Sequence, residues 1–209
     1  MLGAGAETTH AASGPGAVVV TITRGGLQVA PVNVLAGTLV FKIANRGKIA
    51  RDFAIGGKRT PQIAAGKSAK LKVNLAPGFH SYSSVGRNRR GRITGLLNAL
   101  EPCTQPVATT VSVQMTQSPG AITASESTIQ CGTVTFLITN AGSMIDDLRV
   151  FADLLQEKGA SAEIGPGQTS SLTVRFIAKG TALLESGDYP PGETEEHEDS
   201  GEQTQLTIA

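Results

Sequence analysis

The chain repeats itself, because a stretch of its first half recurs in its second half at a constant offset. The segment from Leu35 to Ile55 aligns with the segment from Gln130 to Val150, with matched positions 95 residues apart. The identical pairs are Gly37 and Gly132, Thr38 and Thr133, Phe41 and Phe136, Ile43 and Ile138, Asn45 and Asn140, Gly47 and Gly142, and Asp52 and Asp147. An ordered series of this kind indicates two tandem copies of one fold.

The repeat also predicts the domain organisation. After an insertion in the second copy, residues 153–159, which we expect to form about one helical turn, the register resumes and residues 63–84 align with 164–186. We therefore predict a flexible leader over 1–16, a first domain over 17–100, a linker over 101–109 and a second domain over 110–209. Pro102 and Pro106 support the linker, because proline cannot donate to a sheet ladder.

Each copy reads as a set of short β-strands. Residues 69–75 alternate, with Leu71, Val73 and Leu75 on one face and polar side chains on the other. Such alternation indicates antiparallel sheets with one buried face. Glycine is abundant (25 residues), which fits strands joined by turns. The fold class predicted is all-β, with a two-sheet sandwich in each copy.

Composition excludes some functions and leaves others open. The net charge is only +1 and aromatic residues are 4% of the chain, which argues against nucleic-acid binding. No apolar run is long enough for a membrane span, and the first 16 residues lack the basic start and apolar core of a secretory signal. Cys103 and Cys131 could form a disulfide or remain buried thiols, and the sequence does not decide between them.

The order of motifs in each copy resembles the cupredoxin (blue-copper) family. In the first copy the family landmarks are Ala36-Gly37-Thr38, Asn45-Arg46-Gly47, Asp52-Phe53, Ala65-Gly66 and Pro77-Gly78. The resemblance implies two tandem Greek-key β-sandwiches of cupredoxin-like architecture. It also implies an extracellular, periplasmic or cell-envelope location.

The same resemblance predicts that copper binding has been lost. A blue-copper site needs two imidazoles, a thiolate and a weak axial sulfur. The upstream histidine position is Arg51 in the first copy and Asp146 in the second, and the cysteine positions are Ser84 and Ser186. We therefore expect no cofactor and no catalytic residues. The sequence favours a non-enzymatic binding or structural module.

The first copy contains a candidate anion site. If the resemblance holds, Arg51 and the loop that follows Ser84 lie at the end of the domain where copper would bind. Clustered arginines recognise carboxylates and phosphates. The predicted patch for an unidentified protein or a small anionic ligand consists of Arg51, Arg87, Arg89, Arg90 and Arg92. The alternative is a solvated loop without a partner.

The second copy contains an acidic loop that offers the main alternative function. His197, Glu195, Glu198 and Asp146 could bind copper or another cation and support electron transfer, although no calcium-loop spacing is met. The other interpretation is an acidic loop without a ligand. The basic and acidic loops could also attract each other and drive salt-sensitive self-association.

Overall fold

A computed structural model describes residues 17–86, 91–117, 120–153, 156–187 and 203–209. The predicted leader, residues 1–16, lies outside the described residues. No helix occurs in the described ranges, and strands form most of them. The prediction of an all-β fold is confirmed. We also find no helix, in the part of the chain described, with the length and apolarity that crossing a bilayer requires.

The first domain contains two sheets. One has four strands in the order β2-β1-β4-β7, and its strands are β1 (Val18–Ile22), β2 (Leu27–Ala30), β4 (Gly37–Asn45) and β7 (Ser68–Leu75). The other has five strands in the order β3-β9-β8-β5-β6, and its strands are β3 (Asn33–Leu35), β5 (Ala54–Ile55), β6 (Lys58–Arg59), β8 (Gly78–Ser84) and β9 (Ile93–Leu100).

The second domain repeats this strand order without change. Its four-stranded sheet has the order β11-β10-β13-β16, with β10 (Val107–Gln117), β11 (Gly120–Ala124), β13 (Gly132–Asn140) and β16 (Thr169–Phe176). Its five-stranded sheet has the order β12-β18-β17-β14-β15, with β12 (Thr128–Ile129), β14 (Leu148–Ala152), β15 (Gln156–Ala160), β17 (Gly180–Ser186) and β18 (Gln203–Ile208).

The strand connections are those of a Greek-key sandwich. The chain crosses between the two sheets, and β1 pairs with β4 in parallel, as β10 does with β13. The remaining pairs in each four-stranded sheet are antiparallel. The predicted fold class, two tandem Greek-key sandwiches of cupredoxin-like architecture, is confirmed.

Alternating burial explains why these strands form sandwiches. In β4, Leu39, Phe41 and Ile43 are buried while Lys42 is exposed. Phe41 packs against Phe53, with ring centroids 5.6 Å apart, and Phe53 packs against Tyr82 at 6.1 Å. Each large side chain removed from water contributes roughly 1.5–3 kcal/mol, so the inward faces of the two sheets supply the main stabilising term.

Two segments differ from the sequence-based prediction. The insertion at 153–159 was predicted as a helical turn, but Gln156–Ala160 forms β15 and pairs with β14 across a bulge. The predicted linker, 101–109, is not a free connection. Val107 begins β10, and Pro102 bridges Ala178. Pro102 and Pro106 lack an amide donor, but the amides of the residues that follow them, Cys103 and Val107, donate to carbonyls of the second domain.

A disulfide joins Cys103 to Cys131, whose Cα atoms are 5.6 Å apart. Cys131 is buried, and Cys103 packs against the core of the second domain. The Cys103 amide donates to the Ile177 carbonyl (2.9 Å), and the Val107 amide donates to the Cys131 carbonyl (2.9 Å). The pairing that the sequence left open is therefore present, and it fixes the start of β10 to the start of β13.

Candidate functional site

Asn45 and Asn140 organise the same end of each domain, where β4 and β13 finish. Asn45 Nδ2 donates to the carbonyls of Ile49 and Ile63, both at 2.8 Å, and its Oδ1 accepts from the Gly47 amide at 2.9 Å. Asn140 makes the equivalent bonds to Met144, Ile164 and Gly142 at 2.7–2.9 Å. Both side chains are buried. We call this end of each domain, formed by the loops around the asparagine, its loop end.

The residues predicted to stand at copper-ligand positions of the first domain lie beside this network. Arg51, at the predicted position of the upstream histidine, is only 7% exposed. Its Nη1 donates to the Gly91 carbonyl at 2.8 Å and approaches the Ser84 carbonyl at 3.5 Å. Ser84, at the predicted position of the thiolate residue, is fully buried. Among the described residues, its hydroxyl has no hydrogen-bond partner.

The second domain fills the equivalent positions with an acid and a hydroxyl. Ser186 Oγ donates to Asp146 Oδ1 at 2.6 Å, and Asp146 is completely buried. The neighbouring Asp147 pairs with Arg149, whose Nε lies 3.3 Å from Asp147 Oδ2. Burial raises the pKa of the Asp147 carboxyl, and the positive charge of Arg149 opposes that rise.

These side chains do not fit a type 1 copper ion. A guanidinium is a permanent cation, so Arg51 would repel the metal from the first site. Both cysteines of the chain are joined in the disulfide, which leaves no thiolate for either site. Groups of three or more potential ligands from His, Cys, Asp and Glu are not found among the residues that the structure describes.

The predicted arginine patch is divided by the structure. Arg51 was predicted to join an exposed patch, but it lies inside the domain, because its guanidinium is occupied by backbone carbonyls. Arg92 is exposed. Arg87, Arg89 and Arg90 lie outside the described residues. The Arg51 guanidinium thus lies between the end of β8, at Ser84, and Gly91, and it does not present its charge to solvent.

The loop end of the first domain has further cations that the sequence-based prediction missed. Arg46 and Lys48 follow Asn45, and the Asn45 amide donates to the Lys67 carbonyl at 2.9 Å. The Arg46 amide donates to Ile22 at the end of β1, just before the turn that contains Arg24. These four side chains are exposed. Together with Arg92 they form what we call the basic loop end: Arg24, Arg46, Lys48, Lys67 and Arg92.

The net charge of each copy, taken separately, would have indicated these exposed cations, whereas the net charge of the whole chain does not. Residues 17–100 contain fourteen lysines and arginines and one carboxylate, Asp52. Residues 101–209 contain four lysines and arginines and fifteen carboxylates. The net charge of +1 conceals this segregation, because the two halves nearly cancel.

The fold does not require these cations. The second domain builds the same asparagine network with neutral residues, namely Ala141, Ser143 and Gln168 in place of Arg46, Lys48 and Lys67. The only carboxylate of the first domain, Asp52, forms an ion pair with Arg59 and accepts from the Val85 amide. The Asp52 carboxylate is therefore already paired and does not neutralise the cations at the loop end.

The predicted cation site of the second domain is only partly described. Asp146 is buried and accepts a hydrogen bond from Ser186, so it is not presented to a loop ligand. His197, Glu195 and Glu198 lie outside the described residues. The predicted self-association is between the basic loop, residues 86–92, and the acidic loop, residues 187–202. Most residues of both loops lie outside the described ranges, and the self-association stays a prediction.

Comparisons with known proteins find similarity at the level of fold. Neither the family models nor the curated proteins searched match the sequence. A multicopper oxidase structure is 13% identical, with 92% of this chain and 87% of that chain covered and a TM-score of 0.32. Copper nitrite reductase from Nitrosomonas europaea is 15% identical over 91% and 93%, with a TM-score of 0.32. Reduced auracyanin from Roseiflexus castenholzii is 14% identical over 50% and 99%, with a TM-score of 0.34.

These structures correct one prediction. The sequence predicts that the chain is not an enzyme, but the solved structures similar to it include copper-containing enzymes, namely a multicopper oxidase and copper nitrite reductases. The prediction that the chain is not an enzyme is therefore withdrawn. The strand order shows the architecture. Each half of the chain is a Greek-key β-sandwich of cupredoxin-like architecture, and its described residues contain no group of three potential metal ligands.

Proposed function

We propose that the chain is a binding module outside the cytoplasm, and that the basic loop end of its first domain recognises an anionic partner. The observation that carries this proposal is the set of five exposed cations around the Asn45 network in a domain whose only carboxylate is already paired. Uncompensated cations at one end of a rigid scaffold attract anions and leave recognition to the loops.

A comparison between the two domains supports this role. The loops have the same backbone bonds in both copies, yet only the first copy has cations on them. A requirement of the fold would appear in both domains. Lysine and arginine at these positions therefore serve something other than folding, and carboxylate, sulfate or phosphate groups are the chemistry that they bind.

The disulfide supports the proposed location. Disulfides persist in oxidising compartments such as the periplasm and the extracellular space, and they are rare in the cytosol. Cys103 and Cys131 are the only cysteines, and they are joined. We therefore propose an extracellular, periplasmic or cell-envelope location, which localisation of the tagged full-length gene product would test.

The binding proposal is tested with two small probes, citrate and a sulfated disaccharide, in calorimetric titration at low and high salt. The triple variant Arg46→Ala, Lys48→Ser, Lys67→Gln introduces the residues of the second domain. We expect it to weaken binding about tenfold, which corresponds to about 1.4 kcal/mol. The control variant Lys42→Leu, Lys70→Ser, Lys72→Thr removes the same charge elsewhere and should bind like the wild type. Absence of binding to either probe, or equal losses in both variants, would refute the proposal.

A further inference from the structure

A second group of cations lies on the outer face of the four-stranded sheet of the first domain. Lys42 of β4 is directly opposite Lys70 of β7, and Lys72 follows on the same face of β7. All three side chains are exposed. Lys58 lies beside them, since its Nζ donates to the Lys72 carbonyl at 3.2 Å. We call Lys42, Lys58, Lys70 and Lys72 the lysine face.

This arrangement costs the folded domain stability. Side chains directly opposite on neighbouring strands have Cβ atoms about 5 Å apart, and like charges there repel. Asp52 cannot relieve the repulsion, because it is buried and pairs with Arg59. Among the described residues, none of these four lysines forms an ion pair.

The second domain shows that the same sheet forms without these charges. In its identical register, Leu137 takes the place of Lys42, Ser171 that of Lys70, and Thr173 that of Lys72. Thr173 hydrogen-bonds across the strands to Thr135 at 3.2 Å. The sheet therefore forms with neutral residues at these positions, and its pairing does not require the lysines of the first domain.

The lysine face follows the basic loop end along the chain. Lys67 immediately precedes β7, and Lys72 lies five residues further along, which corresponds to about 16 Å in an extended chain. Lys70 and Lys72 are about 7 Å apart on one face. Cations therefore occur in the turn before β7 and then along the outer face of the strand, and we call this series a line. A compact anion could contact only a part of that line.

We propose that this line binds a linear anionic polysaccharide, carboxylated or sulfated, that extends from the basic loop end along β7. The proposal rests on the proposed function, because the path begins at the loop end. It names the partner class as a polymer with charges repeated along its length. A single-stranded nucleic acid is disfavoured, because it binds through stacking on aromatic side chains. Phe79, the exposed aromatic residue of the described first domain, is on β8 in the other sheet.

The test compares long and short probes on the full chain. Dextran sulfate represents the sulfated polymers and polygalacturonate the carboxylated ones. Each is titrated as a long chain and as a disaccharide. We expect affinity per chain to rise at least about tenfold from the short to the long probe, with a steeper salt dependence because more counterions are released. A preference for one polymer identifies the charged group that is recognised.

The two triple variants separate this inference from the proposed function. Lys42→Leu, Lys70→Ser, Lys72→Thr should keep disaccharide binding and lose the gain with chain length. Arg46→Ala, Lys48→Ser, Lys67→Gln should lose disaccharide binding itself. If the lysine-face variant retains the full gain, or if single-stranded DNA binds more tightly than both polysaccharides, this inference is refuted while the proposed function stands. If the disaccharides do not bind the wild type at all, the proposed function fails.

Discussion

Two serines occupy equivalent positions in the two domains, and their hydroxyl groups meet opposite conditions. Ser84 is fully buried without a hydrogen-bond partner among the described residues, whereas Ser186 donates to the buried carboxyl of Asp146. A buried polar group without a partner keeps its desolvation cost, while a hydrogen bond to an acidic group offsets it. The same residue type therefore destabilises one domain and stabilises the other.

Replacing each serine with alanine should change stability in opposite directions. Ser84→Ala should stabilise the first domain by about 1 kcal/mol, because it removes an unpaired hydroxyl. Ser186→Ala should destabilise the second domain by about 2 kcal/mol, because it removes the hydrogen bond that Ser186 donates to the buried carboxyl of Asp146. Denaturant unfolding followed by hydrogen exchange assigns each change to its domain. Destabilisation by both substitutions would contradict this account of Ser84.

Asp147 gives the second domain a pH-dependent penalty. Burial raises the pKa of its carboxyl in the folded state, so the folded protein holds this proton more tightly than the unfolded chain. The contribution of this group to stability is therefore largest at acidic pH and falls as the pH rises through the raised pKa. We expect Asp147→Asn to raise the melting temperature at neutral pH, and this gain should shrink on acidification.

Asp52 provides the matched control for that measurement. It is the counterpart of Asp147 in the first domain, but its carboxylate accepts from both Arg59 and the Val85 amide. Asp52→Asn removes an ion pair, so it should lower stability at neutral pH. Melting curves of both variants between mildly acidic and neutral pH provide the comparison. A neutral-pH loss of stability in Asp147→Asn would show that Arg149 outweighs burial.

The elements at the loop ends depend on the two asparagines more than on their own sequences. Each asparagine side chain holds the loop that follows its strand and the turn before β7 or β16 by three hydrogen bonds. In those turns Gly66 and Gly167 have φ angles of 73° and 70°, which favour glycine. The repeated asparagine thus holds the same two loops in both domains.

Alanine at either asparagine should disrupt its domain. Asn45→Ala removes all three hydrogen bonds of the side chain, so the Ile49 carbonyl and the Gly47 amide lose this partner, while the Ile63 carbonyl keeps its bond from the Arg51 amide. We expect a loss of about 3 kcal/mol. Asn140→Ala should cost about the same in the second domain. Asn74→Ala on the exposed face of β7 is the control and should change stability by less than about 0.5 kcal/mol. Denaturant midpoints measure all three, and a small effect at Asn45 would refute the network's importance.

The sequence predicts some elements well and others poorly for identifiable reasons. Alternation predicted the buried face of β7, because Val73 and Leu75 sit opposite the lysines on a half-buried strand. It could not predict β15, whose residues Gln156–Ala160 are mostly polar and are held in the sheet by pairing with β14. Arg51 was misplaced for a similar reason, since nothing local indicates that backbone carbonyls distant in sequence will bury a guanidinium.

At the scale of the whole molecule, the sequence contains the segregation of charge between the two halves, but the net charge of the whole chain conceals it. A chain of net charge +1 gives no reason to expect anion binding, whereas a half with fourteen cations and one carboxylate does. Knowing which of those cations meet on one surface required the strand register. Lys42 and Lys70 are distant in sequence and become neighbours only when β4 pairs with β7.

The disulfide also determines how tension would pass through the chain. A pulling force applied at the two ends follows the covalent chain to Cys103 and crosses the disulfide directly to Cys131, so the chain segment that contains β10, β11 and β12 is not stretched while the bond is intact. In single-molecule stretching, unfolding of the oxidised domain should release a contour length about 100 Å shorter than that of the reduced domain, as the 28-residue separation requires. Equal lengths before and after reduction would show that the bond is absent. Three of the nine described strands of this domain are thus shielded from stretching by the disulfide, and its reduction exposes them to force.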